Sequence, residues 1–358
     1  MTRTLRVCLV TEGNPRQLTG GYLYHRRMAE LAETCAASMT FASAPAWRWP
    51  LAMAAGGQVL RRVQHSRADV VVLDSIAAAV LAPWLRAASQ PPVVAMLHQP
   101  PGGIDYGPLR TAAQKLLDGV AYRRCAGWMA ASESLAAGLG REFEQSRLRV
   151  VPPGRDVAAL PDEATALDLR QGRQAAVLCV ANWLPRKGIL ELLQAFERLP
   201  AGQATLHLAG DTMPDSAYGR SVQGKLSQPE LEGRVAVHGK LSLEGVAALY
   251  VASDLFVLPS YREPYGTVYG EAMAFGLPVV GWAAGNLPYL ASHGHEGLLV
   301  SPGDVDGLAA AISMLAGDEA LRVEMGAAAR RRALSRPTWR EAAELFFQAA
   351  RELAVISH

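Results

Sequence analysis

Lysine is scarce in this chain: only four of its 35 basic residues are lysines. A lysine at a strand-to-helix turn is therefore not explained by composition. Cysteine is scarce too, and Cys8, Cys35, Cys125 and Cys179 lack the spacing of a metal or redox site. Free buried thiols in a reducing cytosol are the reading that follows. The eight histidines include no H-x-x-x-H pair, and His293 and His295 flank a glycine in what reads as a loop, so no metal site is expected. Long apolar runs are also missing. Ile76–Leu85 is the longest, holds ten residues and contains Pro83, which is too short to cross a bilayer. Val7–Val10, near the start, is too short for a signal-peptide core. A cytoplasmic location is expected. No G-x-G-x-x-G occurs, so the dinucleotide-binding fingerprint is absent. The formal net charge is only +2, and no nucleic-acid partner is expected.

What is present is a repeated βα pattern. Short apolar runs such as Leu5–Thr11, Asp69–Leu73 and Val93–Leu97 read as parallel strands covered on both faces. Gly127–Ser132 and Leu148–Val151 complete a first set. Helical periodicity covers Tyr22–Ala37 and Arg110–Cys125. After Pro152-Pro-Gly154, the polar stretch Arg155–Arg173 reads as a linker. A second set follows, with strands at Ala176–Val180, Ala204–Ala209, Val235–Val237 and Leu255–Leu258, and helices at Ile189–Leu199, Gly219–Leu226 and Leu243–Val251. At 358 residues, two α/β domains with doubly wound parallel sheets are expected. Charge divides between them: residues 1–160 hold 18 Lys and Arg against 11 Asp and Glu, while residues 161–358 hold 17 against 22. A basic first half suits an anionic partner, and an equally available reading is a surface of solvated arginines.

The stretch Ser260–Val280 carries the most chemistry. Ala252–Ser260 reads as a strand ending at a Pro-Ser turn, and Thr267–Phe275 as a short helix closed by Gly276 and Pro278. Glu263 then lies just beyond a strand's carboxyl end, with Glu271 about two turns into the helix. Ligands of open α/β sheets bind at that end. Carboxylates accept hydrogen bonds only, which suits a hydroxyl-rich ligand, and the amides from Tyr265 to Val268 suit a phosphate. On spacing alone the two glutamates read equally well as solvated charges.

E-P-Y-G-x-x-x-x-E-A-M-A-x-G-x-P-V-V resembles the signature of retaining glycosyltransferases of family 4, which have the GT-B fold. The likeness covers most of the C-terminal half. It implies two Rossmann-like domains facing a central cleft: an acceptor domain over 1–160, a nucleotide-sugar donor domain over 161–339, and a C-terminal helix over 340–358 returning to the first. It also implies that Glu263 contacts the donor sugar and Glu271 the ribose, beside Tyr265, Gly266 and Thr267.

Trp183-Leu-Pro-Arg-Lys-Gly188 follows a strand and opens a helix, where a lysine can place a point charge on a diphosphate. The family pattern here is G-R-L-x-x-x-K-G. Lys187 and Gly188 match it, whereas Asn182 stands in place of the arginine, leaving Arg186 or Asn182 to substitute for it. Gly20 and Gly21 correspond to a family glycine pair near donor phosphate or acceptor, and Gly239 to the place that lodges the nucleobase. His98, closing a strand, corresponds to a histidine near the donor sugar's primary hydroxyl. In the family's G-G-x-P-E turn, Asn286 and Tyr289 replace glycine and glutamate. Asp304 and Asp306 read as caps of the next helix.

The expectation is a nucleoside-diphosphate sugar as co-substrate, no metal or other cofactor, and transfer with Glu263, His98 and Lys187 at the reacting centre. A nucleotide-sugar epimerase of the same fold and a non-catalytic sugar-nucleotide binder are the alternatives. Arg61-Arg62, Arg123-Arg124 and the segment Trp47–Met53 suggest an anionic or lipid-linked acceptor, met with peripheral membrane contact at the inner face. They read as well as core apolar residues beside solvated arginines.

Overall fold

The computed structural model describes residues 3–14, 20–46, 51–86, 91–155 and 167–355. The chain divides into two compact units, Met1–Asp156 with Pro337–His358, and Val157–Arg336.

In unit 1 the strands and helices alternate as β1 (Leu5–Glu12), α1 (Gly20–Leu31), β2 (Ala37–Ala44), α2 (Gly56–Ser66), β3 (Val70–Asp74), α3 (Ala78–Leu81), β4 (Val93–Leu97), α4 (Pro108–Tyr122), β5 (Gly127–Ala130), α5 (Glu133–Leu139) and β6 (Leu148–Val150). All six strands are parallel, in the order β2-β1-β3-β4-β5-β6. Every residue of β3 and β4 is buried, as continuous apolar runs with helices on both faces require. The sequence reading carried the first helix through to Ala37. In the structure α1 stops at Leu31, a 3₁₀ turn spans Glu33–Cys35, and Ala36 turns left-handed into β2. That strand, Ala-Ser-Met-Thr-Phe-Ala-Ser-Ala, lies at the sheet edge and alternates only loosely, so it lacks the apolar run that marks the inner strands.

Unit 2 runs β7 (Ala175–Val180), α6 (Ile189–Glu197), β8 (Ala204–Ala209), α7 (Ala217–Leu226), β9 (Val235–Gly239), α8 (Leu243–Ala252), β10 (Leu255–Val257), α9 (Thr267–Ala274), β11 (Val279–Trp282), α10 (Leu287–Leu290), β12 (Gly297–Val300), α11 (Val305–Gly317) and α12 (Glu319–Leu334). Its sheet is again wholly parallel, in the order β12-β11-β10-β7-β8-β9. Asp304 caps α11 by accepting from the Gly307 amide. Asp306 does not act as a cap: it lies inside α11 and pairs with Arg198 of unit 2.

The last helix, α13 (Trp339–Val355), belongs to unit 1. It buries Ala342, Phe346, Phe347 and Leu353 and packs against α1, β3, β4 and β5. Gly127 lets it approach, since a Cβ there would lie 2.6 Å from the Leu353 side chain. Arg351 fastens the helix by donating to the carbonyls of Cys35 and Ala36.

Each sheet has a point where the strand order reverses: between β1 and β3 in unit 1, and between β7 and β10 in unit 2. Connections leave such neighbours toward opposite faces, so their carboxyl ends open into a crevice.

Candidate active site

At the unit 2 crevice two loops lie side by side. One follows β7 and carries Asn182 and the 3₁₀ turn Pro185–Lys187; the other follows β10 and carries Ser260–Gly266. The Tyr261 amide and the Ser260 hydroxyl both donate to the Arg186 carbonyl, at 2.8 and 3.1 Å. Gly188 makes this approach feasible. Its φ is +69°, and a Cβ would sit 2.2 Å from the Pro259 carbonyl oxygen, so no other residue fits without moving the second loop. The consequence is an ion pair between the Lys187 ammonium and the Glu263 carboxylate, with side chains 12% and 11% exposed.

The loop bearing Glu263 is held from behind. Asn286 donates its backbone N–H to the Glu263 carbonyl at 2.9 Å and its side-chain amide to the Tyr265 carbonyl at 2.8 Å. The residue that departs from the family glycine therefore braces the loop. Arg186 reaches the same segment through the Arg262 carbonyl at 3.2 Å. Asn182 accepts from the Asp211 amide at 3.0 Å, which engages its carbonyl oxygen in shaping the turn after β8.

Gly266, at φ +74°, immediately precedes α9, and Thr267 is its exposed first residue. Glu271 is the fifth residue of α9, which at 3.6 residues per turn places it little more than one turn in rather than two. Its carboxylate accepts from the Tyr250 hydroxyl at 3.0 Å. Burial, then the charge of Glu271, pushes that hydroxyl well above the usual phenol range. Gly239 ends β9, and a Cβ there would meet no neighbouring atom.

Gly20, Gly21 and His98 belong to unit 1. Gly20 and Gly21 open α1. His98 follows β4 as the sequence reading places it, but its ring is turned into the unit, 6% exposed, with Gly21 against one edge and Tyr24 in edge-to-face contact at 5.1 Å. Its Nε2 lies 3.0 Å from Nε2 of His25, on α1, and that same His25 nitrogen lies 3.0 Å from Oδ2 of Asp74, at the end of β3. The Thr11 hydroxyl, on β1, donates to Asp74 at 2.9 Å. Burial raises the Asp74 carboxyl, but the pull and hydrogen bond of His25, with His98 and Thr11, outweigh it and hold it at about 2. Burial, then the charge of His25, lowers His98 to about 3. Among the described residues, His25, Asp74 and His98 are the set that could ligate a metal ion. No sequence spacing announced them, since they come from three separate elements.

A cavity of about 500 Å³ also opens at the carboxyl ends of β1 and β2, lined by Gly13, Asn14, Ser43, Pro45, Gln58 and Arg62. Of the arginine pairs, Arg62 donates to the Ser43 carbonyl and Arg124 to the carbonyls of Ala82 and Leu85, so these two brace the fold. Trp47–Pro50 fall outside the described residues, and Met53 is half-buried in a 3₁₀ turn.

The family described as Glycosyl transferases group 1 matches residues 168–332, and that described as Glycosyltransferase Family 4 matches residues 17–159. Together they take in both crevices. The chain belongs to glycosyltransferase family 4. Among its curated relatives is a D-inositol 3-phosphate glycosyltransferase of Xylanimonas cellulosilytica, 31% identical over 60% of this chain and 56% of that protein. An N-acetyl-alpha-D-glucosaminyl L-malate synthase of Bacillus anthracis is 34% identical over 42% of this chain and 38% of that protein. The chain thus spans about half the length of the curated relatives it matches. Among solved structures, sucrose-phosphate synthase of Thermosynechococcus elongatus superposes with a TM-score of 0.82 at 21% identity, over 98% of this chain and 99% of that one. Anabaena HepE, in complex with UDP and glucose, gives 0.76 at 20% identity, over 97% and 100%. These likenesses establish the two-domain, Rossmann-like GT-B fold.

In this family 4 chain, sequence reading missed Tyr250, His25, Asp74 and Thr11. Asp74 left one visible signal: it is the sole charge in an otherwise apolar strand, Val70–Asp74.

Proposed function

We propose that this protein transfers a sugar from a nucleoside-diphosphate sugar to a hydroxyl-bearing acceptor, with retention of anomeric configuration and without a metal. The observation that carries the reading is the Lys187–Glu263 pair at the unit 2 crevice, with Glu271 on the adjoining helix. Both partners change allegiance when donor binds: Lys187 turns to the diphosphate and Glu263 to the sugar hydroxyls, while Glu271 takes the ribose. The charge separation that Lys187 relinquishes is regained on a stronger anion, in a site shaped before substrate arrives. In the reaction, the bond from the anomeric carbon to the diphosphate oxygen breaks, the acceptor oxygen attacks from the same face, and its proton passes to the departing diphosphate. Positioning and electrostatic stabilisation of that diphosphate supply the rate. His98 of unit 1 contributes a polar contact to the donor sugar.

The acceptor is anionic in this reading. The relatives named for inositol 3-phosphate and malate support that class, as does Arg62 at the unit 1 cavity. A lipid-linked acceptor is supported by a relative named for phosphatidylinositol monomannoside. Helix α4 supports it too, with exposed Leu109 and Leu116 interspersed with exposed Arg110 and Lys115 and followed by exposed Arg123. Such a surface suits a headgroup layer, at on the order of 1 kcal/mol per basic residue. No helix among the described residues is long and apolar enough to cross a membrane.

The test is incubation with a panel of nucleotide sugars, beginning with uridine donors, in the presence of a chelator, scored for donor hydrolysis and for transfer to phosphorylated polyols. Proton NMR of the product reads its configuration. Retained configuration with activity in chelator is expected. An inverted product, or epimerised donor without transfer, overturns the reading.

A further inference from the structure

The buried triad of unit 1 holds one nitrogen, His25 Nε2, within 3.0 Å of two other polar atoms. Their protons can be counted. Asp74 is buried and collects donors on both oxygens: Thr11 Oγ1 on Oδ2, and Ser75 Oγ with the Ile76 amide on Oδ1. A carboxylate so placed is ionised and can only accept. Its contact with His25 Nε2 therefore requires the proton to be on that nitrogen. A second N–H pointing back from His98 Nε2 across 3.0 Å would set two hydrogens against each other, so His98 Nε2 must present its lone pair. That places the His98 proton on Nδ1. A tetrahedral metal held at ~2.1 Å would spread its ligand atoms to roughly 3.4 Å, whereas the 3.0 Å separations match hydrogen bonds.

We infer that Asp74 and His25 are positioning residues that lock His98 in its neutral Nδ1–H form, so that what His98 brings to the donor is a hydrogen-bond donor and never a base. This rests on the proposed part of His98 in the sugar-transfer reaction. The ring is also clamped mechanically. The His98 amide donates to Ser75 Oγ at 3.1 Å, and Tyr24 lies edge-on to the ring at 5.1 Å between centroids. A carboxylate behind an imidazole that fixes its tautomer is a known way to hold a reacting group, and its amide analogue keeps the geometry but reverses the proton. Here the reversal passes down the chain. In Asp74→Asn the amide oxygen stays on the Ile76 N–H and the amide nitrogen donates to His25 Nε2. His25 then carries its proton on Nδ1 and accepts from His98 Nε2–H, leaving His98 Nδ1 bare.

The experiment is nitrogen NMR of the full chain labelled with ¹⁵N-histidine, with His98 assigned by its loss in His98→Gln. The expected wild-type spectrum has a pyridine-like Nε2 and a pyrrole-like Nδ1 for His98, unchanged on adding one equivalent of zinc. Asp74→Asn is expected to exchange the two signals and to lower kcat for transfer on the order of 10²-fold, with the donor KM unmoved. A protonated Nε2 in the wild type overturns the lock, and so does stoichiometric zinc or cobalt binding that shifts all three side chains. Should Asp74→Asn not fold, the wild-type spectrum decides alone. A lock that is present and reversible while kcat stands unchanged overturns the role of His98 in transfer, and leaves the tautomer assignment standing.

Discussion

The two crevices occupy the same place in two similar sheets and are furnished in opposite ways. Unit 2 opposes full charges, Lys187 and Glu263, on adjacent loops. Unit 1 buries a chain of one carboxylate and two rings, with side chains of His25 and Asp74 at 0% and 3% exposure. An ion pair at a loop edge can open for a charged ligand, since a diphosphate offers Lys187 another anion and sugar hydroxyls offer Glu263 hydrogen-bond donors. A sealed proton chain cannot exchange partners, and it serves to hold one ring still. The same topology thus supplies an ion pair that a ligand can open and a buried chain that is fixed.

The comparison breaks most visibly at Lys187. Lys187→Ala leaves Glu263 as a nearly buried carboxylate without its cation, and is expected to cost about 3 kcal/mol of stability in unit 2. It should also weaken both sugar nucleotide and free nucleoside diphosphate, by roughly 1.5–3 kcal/mol. Urea unfolding and calorimetry read the two effects. The double variant Lys187→Met with Glu263→Gln should regain stability without regaining affinity; stability that stays low would show that the pair is not what the first variant removed.

Acid separates the units next. His98 stands at about 3 in the fold against an ordinary value of 6.5, surrounded by His25, Asp74 and Tyr24. The unfolded chain therefore takes up a proton that the folded one refuses. The contribution is complete above pH 6.5 and declines as pH falls toward 3, by about 1.4 kcal/mol per pH unit at most. Asp74, lowered from 3.8 to about 2, adds a loss confined to that lower range. Unfolding followed between pH 7 and 4.5 should show unit 1 weakening by ~2 kcal/mol, and His98→Gln should flatten the slope. An unchanged slope in that variant would contradict the neutral, buried histidine.

How far each crevice was legible in the sequence follows from the same contrast. Lys187, Glu263 and Glu271 sit within two continuous segments, so local spacing and a strand-to-helix reading found them. The pairing of Lys187 with Glu263 was not legible, because it depends on Gly188 admitting the Pro259 carbonyl, a contact between segments about seventy residues apart. His25 and Asp74 are single residues on α1 and β3, and only the sheet order brings them to His98. The inner strands were read closely because their apolar runs are unbroken; β2 was lost because an edge strand needs no such run.

The smallest expected effect sharpens the view of unit 2. Tyr250→Phe removes the hydroxyl that holds Glu271 and should weaken nucleotide binding by about 1 kcal/mol. Calorimetry with a free nucleoside diphosphate reads it, and an effect as large as that of Lys187→Ala would mean that Glu271 depends on more than this bond.

Calorimetry of Glu263→Ala decides whether the charged crevice of unit 2 holds a nucleotide sugar with Glu263 on the sugar. Wild type and variant are each titrated with a sugar nucleotide and with its free nucleoside diphosphate. The variant is expected to keep its affinity for the free diphosphate and to lose it for the sugar nucleotide. Equal losses for both ligands would contradict it.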